Sequence, residues 1–564
     1  MKLNDIWGYG QLFGFSAYEG FNRYDNDLIL MTMKDNLSFR CEFKDEWIKI
    51  NFSNNKDEVI YKNVMSDFVV AEVNKNSFVL TFADCDTLVG TCCRLPKFVG
   101  EFDLKITSIS DSHKIIKSKN HFLEFIYVKE NGLFRFLIHH SINQKLSKKE
   151  IEKYLAKDIK QLIEHYKNYY FSMPRCNDLK YEKLFYKSIS VNKVNTHSPE
   201  GNIKYFWTTP DRVPHRHMWL WDSGFHALMM SRFNIKAAED SIIAMLTQIQ
   251  KDGFLPHMAN PHDCSDVTQP CILSWISYEL YLKSHNKKFL KNVVSYLDKY
   301  LTYDFLYRDY NHDGLLSWKT DPNDVNCKCG ESGLDNSPRF DFDEDMDCID
   351  FSCYFALDAK YLSKIYKVLG NKRKEKYWKE KYIKTTKLIN DLMYDESTHA
   401  FYDYLYSKKL SKFLTPASFL PLSFGLVSKK RAEKMIEVLF DKNLLCTKFP
   451  FSTISQKDNR FSNDMWRGGV WINLNYFIIR GLKLYGRSDL AKLVRDKTLN
   501  FVNEWYLKTG CIFEFFDPLN KVAPFKCDRK GKQPKNPDYR IHVHSITDYH
   551  WSAAFVYLLI QNDY

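Results

Sequence analysis

An N-terminal antiparallel β-sandwich followed by a mainly α ring of helical hairpins is the architecture this sequence predicts. Three observations carry it. Short β-branched and aromatic runs separated by turn residues fill the chain up to about residue 145. From about residue 180 onward the spacing is almost wholly helical. The helical stretches come in pairs joined by short turns, such as Gly370-Asn371 and Gly486-Arg487. By fold analogy, twelve paired helices suggest six hairpins closed on themselves, with a funnel at one end.

The strands are read from LSFRCEF (37–43), WIKINF (47–52), FVVAEV (68–73), SFVLTF (77–82), FLEFIYV (122–128) and LFRFLIHH (133–140). They form the first unit, 1–145. Residues 146–178 read as a helical linker, with Ile151, Leu155, Ile159, Leu162 and Tyr166 at helical spacing and a capping box from Ser147 and Glu150. Residues 179–564 form the helical unit, with helices expected near 181–195, 216–232, 235–251, 271–284, 286–305, 348–367, 371–393, 415–426, 429–440, 464–484, 487–506 and 545–561.

Composition narrows the function. The chain has 564 residues, 45% hydrophobic and 27% charged, which is globular, and 16% aromatic, which favours a large core and offers flat platforms for sugars. The net charge of +12 is spread along the chain among acids, without an arginine-rich cluster or nucleic-acid motif, so it reads as a solvated surface and no nucleic-acid partner is expected. The densest basic stretch, Lys521 to Arg540, holds Lys526, Arg529, Lys530, Lys532 and Lys535 and reads as an exposed loop. Fourteen cysteines without a CxxC pair fit reduced thiols in a cytoplasmic protein rather than a disulfide frame or zinc site. The start MKLNDIWGYG lacks a signal-peptide pattern, and no apolar run of about 18 residues predicts a membrane span.

The loops between helices carry the chemistry-bearing residues. Asp335 lies in Glu331-Ser-Gly-Leu-Asp335-Asn-Ser-Pro-Arg339, a Gly- and Pro-punctuated loop. Taken alone it reads equally as a turn. Glu514 lies in CIFEFFDP (511–518), where alternation sets Phe513 and Phe515 on one face and Glu514 on the other. A carboxylate in so apolar a run is costly unless paired or functional. Taken alone, it also fits an edge strand. Met218-Trp219-Leu-Trp221-Asp222-Ser-Gly224-Phe225-His226 offers a sugar platform or a Trp-rich core helix. Asp309-x-Asn311-x-Asp313-Gly314 matches the opening of a calcium loop, but Thr320 stands at the twelfth position, so a capped turn is expected and no metal. The acidic run Asp341-Phe-Asp343-Glu-Asp345-Met-Asp347 reads as solvated.

Together, WLWDSGFHA, GFLPHM (253–258), Gln269-Pro270, DGLLSW (313–318), ESGLDNSPRFD (331–341), WRGGVWIN (466–473), FEFFDP (513–518) and HWSAAFVY (550–557) resemble glycoside hydrolase family 63, in the family's order and over about 180–564. That family is similar to trehalases and to bacterial mannosylglycerate and glucosylglycerate hydrolases. The resemblance implies an (α/α)6 toroid, a β-sandwich before it, and an inverting α-glycosidase acting on a small carbohydrate without cofactor. It implies Asp335 as general acid and Glu514 as general base, with Trp221, Asp222, His257, Gln269, Trp318, Arg339, Trp466, Arg467 and Trp471 around the sugar. Two departures, Gly469 for a proline and Leu334 for an aromatic, leave the sugar open. For inversion the two carboxyls stand about 6.5–9.5 Å apart with water between, and the acid needs a raised pKa. A phosphorylase and a sugar isomerase or binding protein on the same toroid remain the alternatives.

Overall fold

The computed structural model describes residues 2–34, 36–43, 47–100, 104–118, 121–142, 145–324, 326–341, 344–531 and 544–564. Thirteen strands open the chain: β1 (Leu12–Gly14), β2 (Ile29–Thr32), β3 (Ser38–Glu42), β4 (Trp47–Asn51), β5 (Val59–Val64), β6 (Phe68–Val73), β7 (Asn76–Asp84), β8 (Thr87–Cys92), β9 (Lys97–Gly100), β10 (Lys105–Ser110), β11 (His113–Ser118), β12 (His121–Glu130) and β13 (Leu133–Ser141). They form one antiparallel sheet in the order β1-β2-β3-β4-β9 and a second in the order β10-β11-β12-β13-β8-β7-β6-β5. Alternation decides which side chains meet. Ile48 and Ile50 of the first sheet join Leu80, Phe82, Phe125 and Phe136 of the second in one apolar cluster. Two hairpins close as two-residue turns with both residues left-handed, Asn74-Lys75 and Asn131-Gly132, the geometry that matches strand twist.

The other face of the second sheet is buried too. Phe68, Val89, Ile126 and Leu137 join Ile159, Ile163, Tyr166 and Tyr170 in the large core shared with the helices. The stretch after the sheets is therefore packed, and it is two helices rather than one: α1 (Lys148–Leu155) and α2 (Ile159–Phe171). The capping box of Ser147 and Glu150 starts α1, and Asp158 breaks the run by accepting the Lys160 and Gln161 N–H groups at the start of α2.

Among the described residues twelve further α-helices follow: α3 (Glu182–Val194), α4 (Leu220–Met230), α5 (Ile235–Leu246), α6 (Leu273–Ser284), α7 (Lys287–Tyr307), α8 (Ile349–Val368), α9 (Lys372–Leu392), α10 (Leu420–Ser423), α11 (Lys429–Leu439), α12 (Ile472–Leu484), α13 (Ser488–Thr509) and α14 (His550–Ile560). Every residue of α4 and α14 is buried, whereas α9 buries only Trp378, Thr385 and Ile389, so the first two are enclosed and the last is amphipathic. The enclosed helices touch in sequence: α4 on α6, α6 on α8, α8 on α10, α10 on α12, α12 on α14, and α14 on α4. Gly370 and Gly486 make their turns at φ +78° with open space at each Cβ, so the backbone angle rather than packing selects glycine.

Five expected helices are shorter than read: α5 ends at Leu246 rather than 251, and 415–426 holds only a 3-10 turn at Pro416–Phe419 and the four-residue α10, besides three whose starts differ. Residues 464–471 are irregular, with Met465 at φ +38° and Gly468 at φ +148°, and α12 starts only at Ile472. Met218–Trp219 pairs with Met258–Ala259 before α4. The 545–549 stretch precedes α14, tied by bridges such as Phe513↔Thr547. No helix of the described residues is long and apolar enough to cross a membrane. The N-terminal segment reaches far along the chain: Gln11 Nε2 donates to the Gly510 carbonyl, the Leu12 N–H to Asp548, and Thr547 Oγ1 to the Gly10 carbonyl.

Candidate active site

The loops before α4, α6, α8, α12 and α14, with the first turns of α4 and α14, bring their side chains around one cavity of about 50 Å³. Asp335 and Glu514 both line it, with Trp221, Asp222, Gln269, Trp466 and Trp471 among the expected residues, and His215, Trp219, Gly333, Met465, Arg529, Tyr549 and Trp551 besides.

The Asp335 loop is shaped by its neighbours. Gly333 sits at φ +69°, and a Cβ there would lie 2.3 Å from the Trp221 ring, so backbone packs directly against indole. Asn336 donates from Nδ2 to Asp464 Oδ1 at 3.0 Å and accepts the Trp466 N–H at 3.1 Å. Asp464 also accepts the Lys530 and Gly531 N–H groups at 2.9 and 2.8 Å. One carboxylate thus ties the Asp335 loop, the WRGG loop and the basic segment together. Lys530 Nζ stands 2.8 Å from Asp335 Oδ2, and the Asp335 side chain keeps 21% of its surface open. Burial pushes the Asp335 carboxyl up, but Lys530, with Arg529 and His257 nearby, outweighs it and holds the group below its ordinary range. This corrects the expected raised pKa for the ligand-free protein, and its cause is the basic loop.

Glu514 is buried, with Phe513 and Phe515 turned into the core on either side as alternation requires. Arg529 grips it in a fork, Nε to Oε2 at 3.0 Å and Nη2 to Oε1 at 3.2 Å, and the Ile546 N–H donates to Oε2 at 3.4 Å. Asp222, near the start of α4, is buried with its Oδ1 unpartnered. Burial, with Glu514, Asp211 and Asp335 near, pushes its carboxyl well up. The indole Nε1 atoms of Trp219, Trp466 and Trp551 are likewise buried and unpartnered. Trp466 and Trp471 stack at 3.8 Å, and Trp551 meets Trp221 and Trp471 edge-on at 5.1 and 5.4 Å. The Gln269 carbonyl accepts the Tyr300 hydroxyl at 3.0 Å, fixing the loop before α6.

Four expected residues lie off the cavity wall. His257 sits behind Trp219, its Nδ1 2.6 Å from Ser265 Oγ, and burial pulls its pKa down to about 4, so it is neutral. Trp318 stacks on Phe351 at 3.7 Å and donates Nε1 to Asp350. Arg339 is fully buried, with four hydrogen bonds of 2.6–2.7 Å to Asp350 and Asp403. Arg467 faces Asp341 at 3.2 Å. Gly469 has no room for a Cβ, which would meet the Met465 carbonyl at 2.4 Å, and Leu334 lines a second void with Trp221 and Trp466. Asp309, Asn311 and Asp313 close their own turn, Asp309 accepting the Gly314 N–H and Asp313 the Leu315 N–H. In the acidic run, Asp341 pairs with Arg460 and Arg467, and Asp347 is buried, pushed up to about 7 by burial and Asp313. Asp343, Lys532, Lys535 and Arg540 lie outside the described residues.

Arg529 and Lys530 are the functional surprise. The sequence shows them only as part of a basic loop, and the separate carboxyls they grip are not readable from spacing. His215 was visible in PDRVPHRHMW without a role.

Comparison with known proteins gives the family. Residues 215–552 match the family described as Mannosylglycerate hydrolase MGH1-like glycoside hydrolase domain. The chain is similar to mannosyl-oligosaccharide glucosidase GCS1 of Arabidopsis thaliana, 22% identical over 422 residues, covering 59% of this chain and 49% of that one. It spans about half the length of the curated relatives it matches first. In fold it is similar to a GH63 mannosylglycerate hydrolase from Thermus thermophilus in complex with Tris (TM-score 0.54, 18% identity, 67% of this chain and 100% of that one). It is also similar to a bacterial glucoamylase complexed with acarbose (TM-score 0.63, 12% identity, 100% and 95%). The match covers more than half of the sequence and contains Asp335, the indoles of the cavity and Glu514: the chain belongs to the family of mannosylglycerate hydrolase MGH1-like glycoside hydrolases.

Proposed function

We propose that this protein hydrolyses a terminal α-linked glucose or mannose from a small glycoside or oligosaccharide with inversion at the anomeric carbon, Asp335 serving as acid and Glu514 as base. The observation that carries the reading is the cavity itself: two carboxyls of different surroundings share it with buried, unpartnered Asp222 Oδ1 and three indole N–H groups. A sugar ring offers apolar faces to indoles and hydroxyls to those atoms. Relatives named as mannosylglycerate hydrolase and as mannosyl-oligosaccharide glucosidase support the choice of sugar.

In this reading Asp335 gives its proton to the glycosidic oxygen as the bond to the anomeric carbon breaks. Glu514 takes a proton from the water that attacks the opposite face, releasing the free sugar and the aglycone alcohol. The Arg529 fork holds both Glu514 oxygens in place. Lys530 must leave Asp335 for the acid to carry its proton, and a leaving group entering between them does that; burial then dominates and raises the carboxyl. An aglycone bearing a carboxylate suits the cations so released.

We further propose that the twelve helices close as an (α/α)6 toroid, a reading supported by the return of α14 onto α4. The division into 1–145, 146–178 and 179–564 is supported by sheets that end at Ser141 and helices that begin at Lys148. A cytoplasmic setting is supported by fourteen free thiols.

The test is NMR of the anomer released from a panel of α-linked disaccharides and glycosylglycerates, with and without inorganic phosphate. Asp335→Asn and Glu514→Gln should each lower kcat by about 10²–10⁴-fold without changing the melting temperature. Retained configuration, a sugar phosphate product, or full turnover by either variant refutes the proposal.

A further inference from the structure

The base is held by a relay that starts on the far side of the cavity wall. Arg529 directs Nε and Nη2 at the two oxygens of Glu514, and the same Nη2 stands 3.2 Å from Nε2 of His215. A guanidinium carries N–H bonds and no available lone pair, so Arg529 donates and His215 accepts. Nε2 is therefore unprotonated and the ring proton sits on Nδ1. That nitrogen lies 2.7 Å from Oδ2 of Asp211, a fully buried carboxylate whose Oδ1 accepts the His215 backbone N–H at 3.1 Å. Asp211 so fixes the tautomer, and four residues of chain bring the two groups together. The ring cannot swing, because Trp219 and Tyr549 both meet it edge-on, at 5.8 and 6.3 Å.

We infer that His215 is a positioning residue: its Nε2 lone pair turns the Arg529 guanidinium so that the fork meets both oxygens of Glu514. The inference rests on Glu514 being the base. Arg529 follows the irregular stretch after Asp517 and has no helix or strand of its own to fix its rotation. His215 supplies that fix from the loop before α4, and Asp211 supplies it to His215.

Asparagine and glutamine separate this role from packing. A glutamine oxygen reaches the position of Nε2 and can accept from Arg529, whereas an asparagine amide ends near Nδ1 and reaches only Asp211. His215→Asn should lower kcat by about 10–100-fold, the worth of one charge-assisted hydrogen bond, with KM changed less than about threefold. His215→Gln should stand well above His215→Asn in kcat. Arg529→Lys keeps the charge but loses the fork. It should show a similar loss, and the double variant with His215→Asn should lose no more than the larger single loss, since both break one relay. Equal kcat for the two histidine variants, a loss confined to KM, or losses that multiply in the double variant overturns the relay. Glu514→Ala, assayed beside them, separates the two claims: an active Glu514→Ala overturns the base itself, whereas an inactive one with equal histidine variants overturns only the relay.

Discussion

Arg339→Met is the sharpest test of how the cavity is supported. The guanidinium gives four hydrogen bonds of 2.6–2.7 Å to Asp350 and Asp403, and all three residues are buried. Methionine fills most of the volume and removes all four. Two carboxylates are then left facing each other out of water. Each keeps other donors, Asp350 the Trp318 indole and the Phe351 N–H, Asp403 the Ile349 N–H at the start of α8. The cost should therefore fall in the range for breaking a buried pair, about 3–5 kcal/mol, rather than above it. Burial already pushes Asp403 up against the pull of Arg339. Without the cation, the Asp403 carboxyl should titrate still further above its unfolded value, so the native state binds an extra proton. The penalty should be full at neutral and alkaline pH and shrink as pH falls. Urea unfolding of variant and wild type across pH measures it. Arg339→Met/Asp350→Asn/Asp403→Asn, which removes the stranded charges, should recover part of the loss. A penalty under about 1 kcal/mol, or one that grows in acid, refutes the reasoning. If Arg339 instead held the sugar, KM would rise with stability intact.

Other expectations follow from the same geometry. Lys530→Met removes the cation that holds Asp335 down, so the acid keeps its proton to higher pH; the alkaline limb of kcat/KM should move upward, and a limb that stays or moves down counts against Asp335 as acid. Gly333→Ala places a methyl group into the Trp221 ring at a left-handed backbone angle; it should cost at least about 1 kcal/mol and lower kcat/KM at least about tenfold, visible in unfolding curves and in tryptophan fluorescence.

Local rules made much of this chain readable. Period-two alternation gave the strands and the outward turn of Glu514 between Phe513 and Phe515, and helical spacing with Gly370 and Gly486 gave the hairpins. Where the chain leaves regular structure, spacing stopped helping. The WRGG stretch read as the start of a helix, but Met465 and Gly468 adopt positive φ and bend it into a loop. Asp335 and Glu514 were legible through motif order, since the six helices between them in the chain hide their shared cavity from any local pattern. Arg339 was legible as a charged residue beside the acid but not as a structural tie, because Asp403 lies 64 positions away. Lys530 on Asp335 was hidden for the same reason.

The contacts of Gly10, Gln11 and Leu12 with residues 510, 547 and 548 bear on how the protein can be cut or recombined. Those partners flank Glu514 on one side and Tyr549 on the other. The opening segment is thus a tether on the wall that holds Glu514, and the sheets are not a detachable module. Heating should unfold both parts in one calorimetric transition, and a helical fragment expressed alone would carry a loosened cavity wall.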